Sequence, residues 1–248
     1  MFPADMLPEE PPDEPPEEPP DEKEDVLTNP TTRRSFPSVA GHGNIVYGSS
    51  GSLYKIMRKS DNEYHMYQYL RTRHQTFCDR FVPKLLGTER NMLKLEDVTY
   101  NYVKPHVMDI KIGSRKRGKR HTCRDFSIKG YTDSETYEFN PKVNMAEEDT
   151  VRHLVNFLSK CPDKTYPTAW IASLTTIASY LKTIDLNFAG MSIMLLYDES
   201  PTTAATTVER NGTVYLVDFN RAERTTTHDE AAVVALESLI SLFKSIVP

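Results

Sequence analysis

The stretch LKLEDVTYNYVKPHVMDIKIG, from Leu93 to Gly113, constrains this chain more than any other. Its second half sets Pro105, Asp109, Lys111 and Gly113 in the pattern Pro-x-x-x-Asp-x-Lys-x-Gly. Val107, Ile110 and Ile112 favour an extended strand, Pro105 suits a strand's first residue, and Gly113 ends the run. Side chains alternate between the faces of a strand, so Asp109 and Lys111 project the same way. An anion and a cation on one face can serve one site, although the spacing alone fits an exposed ion pair of little energetic weight equally well.

At 248 residues and 38% hydrophobic, the chain has material for one large domain or two small lobes with a sizeable core. Cys78, Cys123 and Cys161 are odd in number and widely spaced, which argues against a disulfide framework and for a reducing compartment. No Cys-x-x-Cys occurs, so a structural zinc site is not expected, and His121 with Cys123 lacks further ligands. The start MFPADMLPEE has acids and prolines where a signal peptide needs a basic end and an apolar run, and the apolar stretch around Leu186 to Tyr197 is too short to span a bilayer. A cytoplasmic or nuclear location is expected.

Charge is unevenly placed. Residues 1–25 hold eleven acids, from Asp5 to Asp25, against Lys23 alone, and carry −10 of a chain total of −5, which leaves residues 26–248 at +5. With eight prolines among those acids, residues 1–35 read as a disordered tail, either a solvating appendage or a competitor for a basic site that binds an anionic substrate.

From Phe36 the pattern turns globular. Asn44–Tyr47 and Ser52–Met57, joined through Gly48-Ser-Ser-Gly51, read as a β-hairpin, with Lys55 among apolar neighbours where an inward ammonium needs an anion. Ser60-Asp61-Asn62-Glu63 has the form of a capping box opening a helix to about His74. Phe81–Gly87 and Asn91–Leu95 read as two further strands. Val151, Leu154, Val155 and Leu158 mark one core helix, and Trp170, Leu174, Ile177, Ala178 and Leu181 another, with Pro162 and Pro167 punctuating between them. Asn211-Gly212 is a hairpin turn opening the strand Thr213–Phe219, whose Asp218 follows mainly apolar residues and needs a cation or solvent. Val233, Leu236, Leu239, Ile240, Phe243 and Ile246 line a last helix.

The Pro105–Gly113 pattern resembles the signature of the inositol polyphosphate kinase family, and Leu93-Lys94-Leu95-Glu96-Asp97-Val98 before it looks like that family's hinge in its multikinase form. Val217-Asp218-Phe219 resembles the family's Ile-Asp-Phe motif, and Met191-Ser192-Ile193-Met194 stands where Ser-Ser-Leu-Leu is usual. The resemblance runs over residues 38–248 and is weakest at 114–150, where the family's substrate helix is not visible. Asn220-Arg221 stands where multikinases usually have Ala-His, and the arginine keeps a phosphate donor there.

The resemblance implies an α/β (α+β) fold of two lobes like a protein kinase, with a small antiparallel-sheet N-lobe over 36–98 and a larger mixed C-lobe over 99–248. It implies an ATP- and Mg2+-dependent kinase acting on inositol trisphosphate or tetrakisphosphate, with phosphatidylinositol bisphosphate as a further acceptor. Lys55, held by Glu63, would bind the ATP phosphates, Glu96 and Val98 the adenine through their backbones, Asp109 the ribose and Asp218 the metal. Lys111 and Asp218 would be catalytic. The acceptor would be gripped by Lys111, Arg221 and the cluster Arg115, Lys116, Arg117, Lys119 and Arg120, which also reads as a nuclear-localisation or nucleic-acid patch or a phosphoinositide surface. The partners expected are inositol phosphates and phosphoinositide headgroups, with no stable nucleic-acid partner, for a chain acting as a monomer. An inositol hexakisphosphate kinase and a catalytically weak inositol phosphate or phosphoinositide-binding module remain the alternatives.

Overall fold

Ser50 and Gly51 both take left-handed φ angles, 58° and 74°, and this turns β1 (Ile45–Tyr47) back onto β2 (Ser52–Ile56) as an antiparallel hairpin. Next come α1 (Glu63–Arg73), α2 (Gln75–Phe81), β3 (Leu85–Glu89) and β4 (Met92–Glu96), and the four strands make one antiparallel sheet in the order β1-β2-β4-β3. The computed structural model describes residues 45–48, 50–58, 62–113, 126–132, 137–139, 147–199 and 212–247, all within one compact unit, Ser35–Pro248. The acidic tail and the basic cluster Arg115, Lys116, Arg117, Lys119 and Arg120 lie outside the described residues.

Beyond the hinge runs β5 (Pro105–Lys111), followed by β6 (Ser127–Thr132), β7 (Tyr137–Phe139), α3 (Glu147–Ser159), α4 (Thr165–Leu181), β8 (Leu186–Asn187), β9 (Ser192–Asp198), β10 (Val214–Val217), β11 (Glu223–Arg224) and α5 (Glu230–Ile246). The second sheet is antiparallel in the order β10-β9-β5-β6-β7, so β5 is central, and every residue from Pro105 to Ile110 is buried. Met108 and Ile110 belong to the main core, which also takes in Trp170, Leu174, Ile177 and Leu181 of α4 and Leu236, Leu239 and Phe243 of α5, all fully buried. Val107, on the opposite face, joins a smaller apolar cluster with Val98, Tyr102, Leu196 and Tyr215. Among the described residues no helix is long and apolar enough to cross a membrane.

Four local expectations need correction. Phe81 ends α2 and is not in a strand; Phe77, Cys78 and Phe81 are its buried face, and β3 begins only at Leu85, two residues after Pro83. Pro167 sits inside the first turn of α4, where its missing N–H breaks no helical bond, and the Thr165 amide is instead met by Asp163 at 2.7 Å. On α3 the buried stripe is Thr150, Leu154 and Phe157, while Val155 is 40% exposed. The capping box does not form: Glu63 is the first residue of α1, two positions too early to close it, and Asn62 makes no side-chain cap bond.

Gly113 has φ +79°, and a Cβ placed there would lie 2.9 Å from the backbone oxygen of Phe188. Strain and overpacking act together at this point, so Gly113→Ala should cost about 2–4 kcal/mol. Urea unfolding checks it: a lower midpoint at unchanged slope is expected, and a midpoint equal to that of the wild type would show that the backbone relaxes freely.

Candidate active site

Strand register brings the charged groups together. Lys111 of β5 lies opposite Ser192 of β9, and Ser192 lies opposite Val217 of β10, so the residue after Val217 emerges beside Lys111. That residue is Asp218, which leaves the strand at φ 69°, a left-handed value that aspartate tolerates better than most side chains. The expected strand Thr213–Phe219 therefore stops at Val217, and its backbone turn aims the carboxylate at two lysines. Lys111 Nζ donates to Asp218 Oδ2 at 2.5 Å and to Ser192 Oγ at 2.9 Å. Lys55 Nζ of β2 donates to Asp218 Oδ1 at 2.7 Å and is held from the other side by Glu63, with Nζ to Oε2 at 2.8 Å. Glu63 is 1% exposed, so its partnership with Lys55 is what makes its burial tolerable. The result is an alternating chain, Glu63, Lys55, Asp218, Lys111, reaching from α1 across to β5.

Asp109 shares the Lys111 face and is 4% exposed. Ser192, whose hydroxyl accepts from Lys111, lies close enough to Asp109 to favour its charged form, while Asp109 Oδ1 is buried with no hydrogen-bond partner. Burial raises the Asp109 carboxyl above the usual range, Lys111 opposes that, and the Asp218 charge adds to it. For Asp218, burial acts the same way but is outweighed by Lys55 and Lys111, which hold it well below the usual carboxylate range. Burial would lower Lys55, but Asp218 and Glu63 together raise it above an ordinary lysine.

The linkage signs follow from these directions. The depressed Asp218 contributes stability that is full above the ordinary carboxylate value of 3.8 and is lost as pH falls through the depressed one. The raised Lys55 contributes below 10.5 and fails only as pH rises through its raised value. The stability gap between wild type and Asp218→Asn, read by urea unfolding, should therefore be flat from about pH 5 to 9 and shrink below about pH 4. A gap unchanged at pH 3 would deny Asp218 its charged partners.

At the hinge, the Glu96 amide is spent on the Lys84 carbonyl at 2.9 Å, so that amide is not open to an adenine. The Asp97 amide donates to Gly51 O at 2.8 Å, and Asp97 Oδ1 accepts from the Thr99 amide and hydroxyl, which tightens the turn carrying Val98. Val98 is 3% exposed and packs with Tyr102, Val107, Leu196 and Tyr215, against which Met194 and Val217 are partly buried. On β5, β9 and β10 the residues of this cluster share the face of Asp109, Lys111 and Ser192, so an apolar floor adjoins the charged chain. Arg221 is exposed, three residues beyond Asp218.

Two contacts escape the motif reading. The Asp229 carboxylate caps α5 through the Ala232 amide at 3.0 Å and also accepts from the Phe188 amide at 2.8 Å. Asn62 reaches the turn after Asp218, its amide donating to Asn220 O at 3.2 Å and its Nδ2 to Ala222 O at 3.0 Å. An aspartate before an apolar helix is a legible signal for the first; nothing in the sequence announces the second.

No curated protein matches the chain by sequence. Among solved structures, the inositol phosphate multikinase Ipk2 of S. cerevisiae, in complex with ADP and Mn2+, superposes with a TM-score of 0.64 at 16% identity, over 80% of this chain and 100% of that one. A second inositol phosphate multikinase structure gives 0.58 at 18% identity, over 74% of this chain and 99% of that one. These likenesses show the fold, the two-lobed kinase-like architecture with a small antiparallel sheet and a larger mixed lobe. The family model described as inositol polyphosphate kinase matches residues 92–140 and 126–244, from β4 to within α5 and more than half of the sequence, and the chain belongs to the inositol polyphosphate kinase family.

Proposed function

We propose that the chain transfers the γ-phosphate of ATP to a hydroxyl of an inositol trisphosphate or tetrakisphosphate, in the manner of a multikinase. The observation that carries this reading is Asp218 held between Lys55 and Lys111 beside an apolar floor at the hinge. That arrangement offers a nucleotide a surface for its base, two cations for its phosphates and one hard carboxylate.

Among the described residues, no three His, Cys, Asp or Glu side chains are grouped to hold a metal by themselves. Asp218, with its side chain 27% exposed, still fits Mg2+, which commonly takes one or two carboxylates and completes its shell with substrate phosphates and water. When bound, such an ion neutralises phosphate charge and polarises the P–O bond under attack. The solved multikinase holding ADP and Mn2+ supports a nucleotide and a divalent ion here.

In the transfer, the acceptor hydroxyl oxygen bonds to the γ-phosphorus as the β,γ-bridging P–O bond breaks, ADP leaves, and the hydroxyl proton passes to an oxygen of the transferred phosphoryl group and on to solvent. Lys55, braced by Glu63, grips the ATP phosphates. Lys111 meets the acceptor and the charge on the moving phosphoryl group, with Ser192 fixing its ammonium. Asp109, buried next to Ser192, offers its unpaired Oδ1 to the ribose. Arg221 and the basic cluster following Gly113 serve the acceptor's other phosphates. Catalysis rests on position and charge, and no general base is assigned.

Labelled ATP offered with inositol trisphosphate, tetrakisphosphate, hexakisphosphate and vesicles containing phosphatidylinositol bisphosphate tests the reading. Label in the products of the first two is expected. Transfer to hexakisphosphate alone would replace it with an inositol hexakisphosphate kinase, and tight binding without transfer to any acceptor would leave a binding module.

A further inference from the structure

Asn62 stands just before α1, where a side chain ordinarily caps its own helix, yet it makes no such bond. Its backbone and side-chain amide nitrogens are both turned onto a segment some 160 positions away: the backbone N–H donates to Asn220 O and Nδ2 to Ala222 O. That segment is the turn that presents Asp218. It is tight, with the Ala222 amide donating to Phe219 O at 3.0 Å, and it begins with Asp218 in its left-handed conformation. Phe219 is fully buried, with Tyr67 of α1 set edge-on against it at 5.0 Å. The neighbour of Asn62, Glu63, grips Lys55, which grips Asp218. Two consecutive residues therefore hold Asp218 by different routes, Glu63 through its carboxylate and Asn62 through the backbone behind it.

We propose that Asn62 is a positioning residue for phosphoryl transfer, clamping the 218–222 turn so that Asp218 meets Lys55 and Lys111; this rests on the kinase reading above. The position demands a donor. A carbonyl waits at Ala222, so an amide satisfies it and a carboxylate does not.

That requirement separates the clamp from a capping role. Aspartate is as good a residue as asparagine at the start of a helix, so Asn62→Asp should stay folded, its melting point lowered only by the few degrees that a lost hydrogen bond to the buried Ala222 carbonyl costs. Its kcat should nonetheless fall about tenfold, with the ATP KM changed less than about threefold, as expected when a reacting group is displaced rather than removed. Asn62→Ala should lose kcat similarly. The Kd for ADP with Mg2+ should weaken in both variants, and the weakening should vanish when Asp218→Asn is already present, because the clamp acts through Asp218. Hydrogen exchange at the Ala222 amide, faster in both variants, reads the turn without ligand.

An Asn62→Asp enzyme within twofold of wild type in kcat and in ADP affinity overturns the proposal. So does an equal loss of ADP affinity with and without Asp218. If the wild type transfers no phosphate to any inositol phosphate, the kinase reading fails by itself, while the ADP comparison and the exchange rate still decide the clamp.

Discussion

Asp218→Asn is expected to abolish phosphoryl transfer while leaving the chain folded. The amide keeps the shape of the side chain but removes the charge that two lysines share, at 2.7 and 2.5 Å, and that a divalent ion needs. A fall in kcat on the order of a thousandfold or more is expected, the scale on which single electrostatic groups act in closed sites. The fold should survive because the turn's anchor is the buried Phe219 and the Asn62 contacts, neither of which uses the carboxylate. Binding divides differently from turnover. In wild type, Asp218 occupies both lysines, so a metal-free nucleotide must compete with it; in Asp218→Asn that competition is gone. ADP without metal should then bind the variant at least as tightly as wild type, while added Mg2+ should no longer improve its affinity. Calorimetric titration reads both, and a variant that kept near-normal kcat would remove Asp218 from the chemistry.

Lys111→Ala should lower kcat by about a hundredfold to a thousandfold and move the ATP KM by only a few-fold. On the proposed reading, Lys55, with Glu63 behind it, would be left to hold the nucleotide, whereas Lys111 would face the charge that grows as the phosphoryl group travels. A group whose interaction is strongest in the transition state shows its loss in kcat. Should the variant raise the ATP KM with kcat intact, Lys111 would belong to ground-state nucleotide binding instead.

Local pattern carried much of this architecture. The Pro105–Gly113 strand could be read from its β-favouring residues and its punctuation, and alternation alone put Asp109 and Lys111 on one face. The α4 and α5 stripes were legible from their 3.6-residue period, since Trp170, Leu174 and Leu181, and Leu236, Leu239 and Phe243, are all buried as spaced. Where local rules competed, the reading slipped. The capping pattern alone misassigns Glu63, whereas its other reading, a pair with Lys55, is the one that forms. Phe81 and Val82 favour strands, yet Phe77, Cys78 and Phe81 make a helical face that the core takes up.

Long-range register was the part no window of sequence could supply. The placing of Asp218 beside Lys111 depends on three strands aligning Lys111, Ser192 and Val217 in one row, and on a left-handed residue at its end. The family resemblance named those residues without that geometry. The Asn62 clamp had no signal of either kind, because an asparagine before a helix looks like a cap. Its donors are assigned only once the turn at Asn220 and Ala222 is in place.

The Lys55, Asp218 and Lys111 cluster is proposed as a phosphoryl-transfer centre for inositol phosphates. Its most direct test is transfer of label from [γ-32P]ATP to inositol trisphosphate by the full chain, with Mg2+ or with EDTA, run beside Asp218→Asn. Labelled inositol tetrakisphosphate from wild type with Mg2+, and none with EDTA or from the variant, is the predicted result. Label entering inositol phosphate at equal rates in wild type and Asp218→Asn would contradict it.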